Sequence, residues 1–179
     1  MKNIVVAFPG IAYTTERPLL KNTTNKYREL GYEVININFD NVDFNKYKDL
    51  NKSAEEVKAV VLEQVKNICF KEYKNIVFVS KSLGTMVAVW LEEHLNLNVK
   101  HVLLTPLPKV IPYIKQYPEK IILTAIGTED KFLDYKILEE TSKENNVKCF
   151  IYKGLGHSLE GDDPKVNENV IKDILDVCK

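Results

Sequence analysis

The stretch Asn75-Ile76-Val77-Phe78-Val79-Ser80-Lys81-Ser82-Leu83-Gly84 decides how the rest of the chain is read. Ile76 to Val79 are apolar on consecutive positions, as a strand covered on both of its faces requires; alternation would mark a half-exposed strand. The next five residues read small-x-Ser-x-Gly and lead into an amphipathic helical segment at 85–95. A serine on so sharp a strand-to-helix turn stands clear of the sheet, and small residues at 80 and 84 keep neighbouring backbone from clashing with it. The amide of Leu83, at the start of the helix, favours an anion in the same space. The plainer alternative is a serine that caps a helix and a glycine that eases packing. Five residues alone do not choose between the two.

Moving outward from this turn, similar short β-branched runs recur at 4–8, 33–37, 100–105, 120–127 and 148–152, separated by longer amphipathic segments. Pro18 suits the first turn of a helix, and Gly31 follows Leu30 where a left-handed cap would end it. Ser53 and Glu56 have capping-box spacing. Pro164 precedes a closing segment whose Val166, Val170, Ile171, Ile174, Leu175 and Cys178 fall on one helical face. The expectation is one α/β domain over 1–179: six strands in a mostly parallel sheet with helices on both faces, a three-layer sandwich. In such sheets functional groups gather outside the carboxyl ends of the strands.

Two further strand ends carry suitable chemistry. The fifth strand runs into Gly127-Thr128-Glu129-Asp130, and the sixth is followed by Gly154-Leu155-Gly156-His157. Nucleophile, acid and base thus occur in the order Ser82, Asp130, His157. A serine needs a base to take its proton, and His157 would serve; Asp130 would fix the imidazole tautomer and stabilise the imidazolium. Each residue alone is equally at home as a cap, a turn residue or a solvated loop histidine. Their coincidence favours a site. Glu129 and Asp134 stay open as rivals for the acid. Of the other two histidines, His94 is expected to face solvent and His101, at the start of an apolar strand, to be structural. The first strand ends in Pro9-Gly10-Ile11-Ala12-Tyr13, where the amide of Ile11 (or Ala12) is a second donor for an oxyanion beside Leu83. Lys81, in the variable position beside Ser82, is expected to be solvated, with a preference for anionic substrates as the alternative.

The 179 residues carry 25 Lys+Arg and 25 Asp+Glu, which removes the electrostatic reason to expect nucleic acid or an anionic membrane as partner. The 45% apolar and 28% charged fractions are those of a folded chain. Three scattered cysteines, Cys69, Cys149 and Cys178, form no C-x-x-C and suit a reducing, cytoplasmic setting. The apolar run after the first lysine is too short for a membrane span or a signal-peptide core. No glycine-rich phosphate loop follows the first strand, and no His/Asp/Glu cluster has metal-ligand spacing, so neither cofactor nor metal is expected.

From the Pro9-Gly10 turn through the Ser82 elbow and Asp130 to His157, the chain resembles the α/β-hydrolase family. Ser80 stands where the common elbow has glycine, and Pro9-Gly10 where many members have His-Gly. The resemblance implies the strand order 2-1-3-4-5-6, a minimal core without preceding antiparallel strands, and a lid reduced to 106–119 with one short helix near 110–117. It further implies a serine hydrolase acting through an acyl-enzyme on Ser82, with a small carboxylic ester (or a thioester or amide) as substrate. Tyr13, Leu107, Tyr113, Phe132 and Leu133 are candidate pocket walls. The alternatives are a catalytically silent binding module of the same fold and a flavodoxin-like small-molecule binder.

Overall fold

Strand β3 (Tyr73–Lys81) demonstrates how the layers arise. Successive side chains of a strand point to opposite faces. Ile76 and Phe78 enter one apolar cluster, while Val77 and Val79 enter another on the far side of the sheet. β1 (Lys2–Phe8) does the same, with Ile4, Val6 and Phe8 on the first side and Val5 on the second. A strand buried on both faces cannot alternate with polar residues, which is why these runs are continuous in sequence. The coordinates are those of a computed structural model that describes residues 2–44 and 50–178, with backbone alone for 50–54.

The remaining strands are β2 (Glu33–Asn36), β4 (Lys100–Leu104), β5 (Ile121–Gly127) and β6 (Cys149–Tyr152). All neighbours pair in parallel, in the order β2-β1-β3-β4-β5-β6 that the family resemblance implies. Helices α1 (Pro18–Glu29) and α6 (Pro164–Val177) pack together over one face. On the other lie α2 (Leu50–Val65) and α3 (Leu83–Leu95), with α4 (Ile111–Gln116) against α5 (Tyr135–Glu144) beyond them.

Local signals set the helix ends. Pro18 occupies the first turn of α1, and Gly31, just past its end, has φ of 84°. The Asp163 side chain caps α6 by accepting from the Lys165 amide at 2.9 Å. Helix α2 is already under way at Leu50, so its start precedes Ser53, whose side chain lies outside the described residues. The segment 106–119 folds into a 3-10 turn (Pro108–Val110) followed by α4, and Val110, Tyr113 and Ile114 bury themselves against the α5 side of the core.

Because every strand runs the same way, their carboxyl ends share one edge of the sheet. There the ladder continues into the loops: Ser82 N–H donates to Leu104 O at 3.0 Å, Thr105 N–H to Ala125 O at 2.7 Å and Thr128 N–H to Tyr152 O at 3.0 Å. The loops after β3, β4, β5 and β6 are thereby fixed side by side. Among the described residues no helix is long and apolar enough to cross a membrane.

Candidate active site

The site starts from the backbone of Ser82, held at φ 54° and ψ −123°. A positive φ at a non-glycine residue costs about 1–3 kcal/mol and persists only where surroundings enforce it. Here they do. The Ser82 N–H is bound to Leu104 O, and the Ser82 carbonyl accepts from both the Thr85 N–H (2.9 Å) and the Thr85 hydroxyl (2.7 Å). Gly84 allows the turn to sit against the end of β1: a Cβ there would stand 2.5 Å from the carbonyl oxygens of Phe8 and Pro9. The requirement for a small residue at 84 is thus steric and acts through backbone.

The loops after β5 and β6 are laced to each other. Glu129 N–H donates to Leu155 O at 2.9 Å and Gly154 N–H to the Thr128 hydroxyl at 2.9 Å. Gly127 makes this approach possible, since a Cβ there would lie 2.0 Å from Leu155 O. The lacing brings Asp130 Oδ2 within 2.7 Å of His157 Nδ1, and His157 Nε2 within 2.7 Å of Ser82 Oγ. A carboxylate can only accept, so the imidazole proton sits on Nδ1 and leaves the Nε2 lone pair for the serine hydroxyl. The second oxygen of Asp130 accepts from the Phe132 N–H at 2.8 Å. Burial alone would raise the carboxyl of Asp130; the hydrogen bonds from His157 and from the Phe132 and Leu133 amides outweigh it and hold the group below its ordinary range.

Ser82 opens on a cavity of about 410 Å³. Every strand end but that of β2 supplies part of its wall: Gly10, Ile11 and Tyr13 after β1, Lys81 and Leu83 around the elbow, Leu107 after β4, Phe132 after β5 and His157 and Ser158 after β6. The expected wall residues Tyr13, Leu107 and Phe132 all line it. The Phe132 ring lies 4.5 Å from the His157 ring, between centroids, and is 54% exposed. Ile11 and Leu83, whose amides are the expected oxyanion donors, face the same space. Leu133 and Tyr113 differ from expectation: both are buried in the α4–α5 core, Leu133 because it turns inward one residue past Phe132 and Tyr113 because its hydroxyl is bound to Glu92.

Neither rival acid reaches His157. Glu129 is exposed, and Asp134 caps α5 by accepting from the Lys136 N–H at 3.0 Å. His94 is exposed and stacks on Trp90, while His101 is fully buried at the opposite edge of the sheet. Lys81 corrects the reading from sequence. It is 1% exposed and not solvated, and its ammonium is bound to Thr105 Oγ1 at 2.9 Å and to His157 O at 2.6 Å.

One feature of the site had no sequence signal. The Tyr13 hydroxyl donates to Glu160 Oε1 at 2.8 Å and accepts from the Leu19 N–H at 3.2 Å, and Glu160 also pairs with Arg17. This ties the loop after β1 to the histidine loop across 147 positions of chain, a pairing no local pattern encodes. Among the described residues no group of three or more His, Cys, Asp or Glu side chains is arranged to hold a metal ion.

No protein-family model and no curated protein sequence matches the chain. Solved structures do. A protein of unknown function from Agrobacterium tumefaciens, provisionally assigned to the α/β hydrolases, superposes with a TM-score of 0.67 at 12% identity over 98% of this chain and 83% of its own. A protein from Xanthomonas campestris with the same provisional assignment gives 0.66 at 12% identity, covering 99% and 98%. The Pf2001 esterase of Pyrococcus furiosus gives 0.56 at 16% identity, covering 98% and 82%. At such identities the likeness speaks for architecture, and with the strand order it establishes that this chain carries the α/β-hydrolase fold.

Proposed function

We propose that the chain is a serine hydrolase of carboxylesterase type. The observation that carries this reading is the unbroken relay Asp130–His157–Ser82, with both links at 2.7 Å and the serine opening on the cavity. In the first half-reaction His157 Nε2 takes the Ser82 proton as Oγ attacks the acyl carbonyl. The Leu83 and Ile11 amides stabilise the tetrahedral oxyanion, the imidazolium held by Asp130 returns its proton to the leaving alkoxide, and an acyl-enzyme results. Water then attacks the acyl-enzyme with His157 again as base, releasing the carboxylic acid and restoring Ser82.

An apolar wall of Tyr13, Leu83, Leu107 and Phe132 supports a neutral ester with a small apolar acyl group. Lys81 gives no support to an anionic substrate, since it is buried and two of its three donors are already engaged. A cytoplasmic setting and a small-molecule partner, with no nucleic acid or membrane, belong to the same reading; the balanced charge and the scattered cysteines support them.

The test is reaction of the intact protein with a fluorophosphonate, read by intact mass. One adduct on the wild type and none on Ser82→Ala is the expected result. An unlabelled wild type, or equal labelling of the variant, overturns the proposal.

A further inference from the structure

Lys81 is the last residue of β3 and the neighbour of Ser82, yet the reaction proposed above does not use it. Its side chain is 1% exposed, and its contacts are uncharged: Thr105 Oγ1 at 2.9 Å, His157 O at 2.6 Å and the Tyr13 ring, whose centroid lies 4.8 Å from Nζ. Of the three protons of an ammonium, two are taken by these oxygens, and the Tyr13 ring adds a cation–π contact. The Asp130 and Glu160 carboxylates act on it only through space. Burying a charge without a hydrogen-bonded counter-charge costs several kcal/mol, and a methionine of similar length would fill the space without that cost. The fold therefore has no need of a lysine at this position.

What the ammonium does hold is the main chain of His157. The imidazole must meet Asp130 on one side and Ser82 on the other, each at 2.7 Å, so its ring is only as well placed as the backbone that carries it. The loop from Gly154 to Gly156 contains two glycines and is intrinsically permissive. Thr105, at the end of β4 with φ of 44°, presents its hydroxyl to the same ammonium. One group thus joins the ends of β3 and β4 to the histidine loop.

Resting on the hydrolase reading, we propose that Lys81 is a positioning residue: its buried ammonium fixes the His157 carbonyl, and through it the imidazole, in line between Asp130 and Ser82. The Tyr13 ring adds a cation–π contact to the ammonium and, through its hydroxyl on Glu160, braces the same loop from its far side.

The experiment compares wild type with Lys81→Met and with Thr105→Val, which removes one acceptor and keeps the shape. Short-chain ester kinetics, the thermal midpoint and the low-field proton resonance of the His157 Nδ1–H are measured on each. Lys81→Met is expected to lower kcat roughly 10- to 100-fold with KM little changed, since a misplacement of about 1 Å costs up to that much. Its midpoint should equal or exceed that of the wild type, and the imidazole resonance should shift or broaden. Thr105→Val should move each readout the same way by less. Retained kcat, or a loss only in proportion to the unfolded fraction with the resonance unmoved, overturns the proposal. Should the wild type itself turn over no ester and take no fluorophosphonate, the hydrolase reading fails by itself. The resonance in Lys81→Met still decides whether Lys81 positions the ring, and an unmoved signal rejects it.

Discussion

Among the described residues are two carboxylate–histidine pairs of the same length, of which one is arranged for chemistry. Asp130 and His157 meet at 2.7 Å at the carboxyl edge of the sheet; Glu92 and His101 meet at 2.7 Å at the opposite edge, between the end of α3 and the start of β4. The difference lies in the second ring nitrogen. His157 directs it at Ser82 and a cavity, whereas His101 Nδ1 is buried with no partner. Glu92 collects further donors from Tyr113 and from Lys120 (2.6 Å), closing a network around itself. A hydrogen-bonded acid–histidine pair is therefore common currency of a fold. Reactivity needs a nucleophile on the free nitrogen and an open space beside it.

The comparison can be broken most decisively by kinetics. Ser82→Ala or His157→Ala should lower ester turnover by about 10⁴-fold or more, measured as kcat/KM on folded protein. Asp130→Asn should cost about 10⁴-fold by mis-setting the tautomer, with Asp134→Asn close to wild type. Glu92→Leu should leave turnover per folded molecule intact; a folded Glu92→Leu protein that had lost activity would erase the distinction between the two pairs.

Stability should respond in the reverse sense. Glu92→Leu leaves a buried tyrosine hydroxyl and a half-buried lysine without their acceptor, a loss of roughly 3 kcal/mol by urea titration. Acid sharpens the point. Burial opposes ionisation of Glu92, but the hydrogen bonds from His101, Lys120 and Tyr113 prevail and bring its carboxyl down from 4.5 to about 2. A lowered carboxyl contributes stability that is whole above 4.5 and lost as pH falls toward 2. His101, held below its ordinary value by burial, adds a loss that begins as pH drops below about 6.5, where the unfolded chain takes up the proton first. In Glu92→Leu the decline between pH 4.5 and 2 should flatten. The smallest expected effect is at the mouth: Phe132→Ala should raise KM for apolar acyl esters roughly tenfold, with kcat nearly kept.

Sequence alone makes the carboxyl edge legible and the amino edge nearly illegible, for a physical reason. Period and punctuation mark β1 to β6, and a parallel sheet then gathers Ser82, Asp130 and His157 without further information. Position His101 is identifiable as structural from its apolar strand, but its partner Glu92, and the Tyr113 and Lys120 that bind the same carboxylate, come from three other segments whose meeting depends on packing. Lys81 fails for a related reason. A charged residue at a turn is normally solvated, and only the neighbouring ends of β4 and the histidine loop, both remote in sequence, provide its acceptors. Leu133 shows the limit within a loop, where a shift of one residue exchanges wall for core.

Phe132 serves the site with two separable halves. Its amide steadies the buried oxygen of Asp130, while its ring, 54% exposed, stands at the entrance beside His157. Any residue but proline supplies that amide. The position can therefore exchange side chains over evolutionary time, widening or narrowing the entrance, while the acid keeps its hydrogen bond throughout. On the proposed hydrolase reading, substrate range can be altered at this side chain without touching the hydrogen bond that holds the acid.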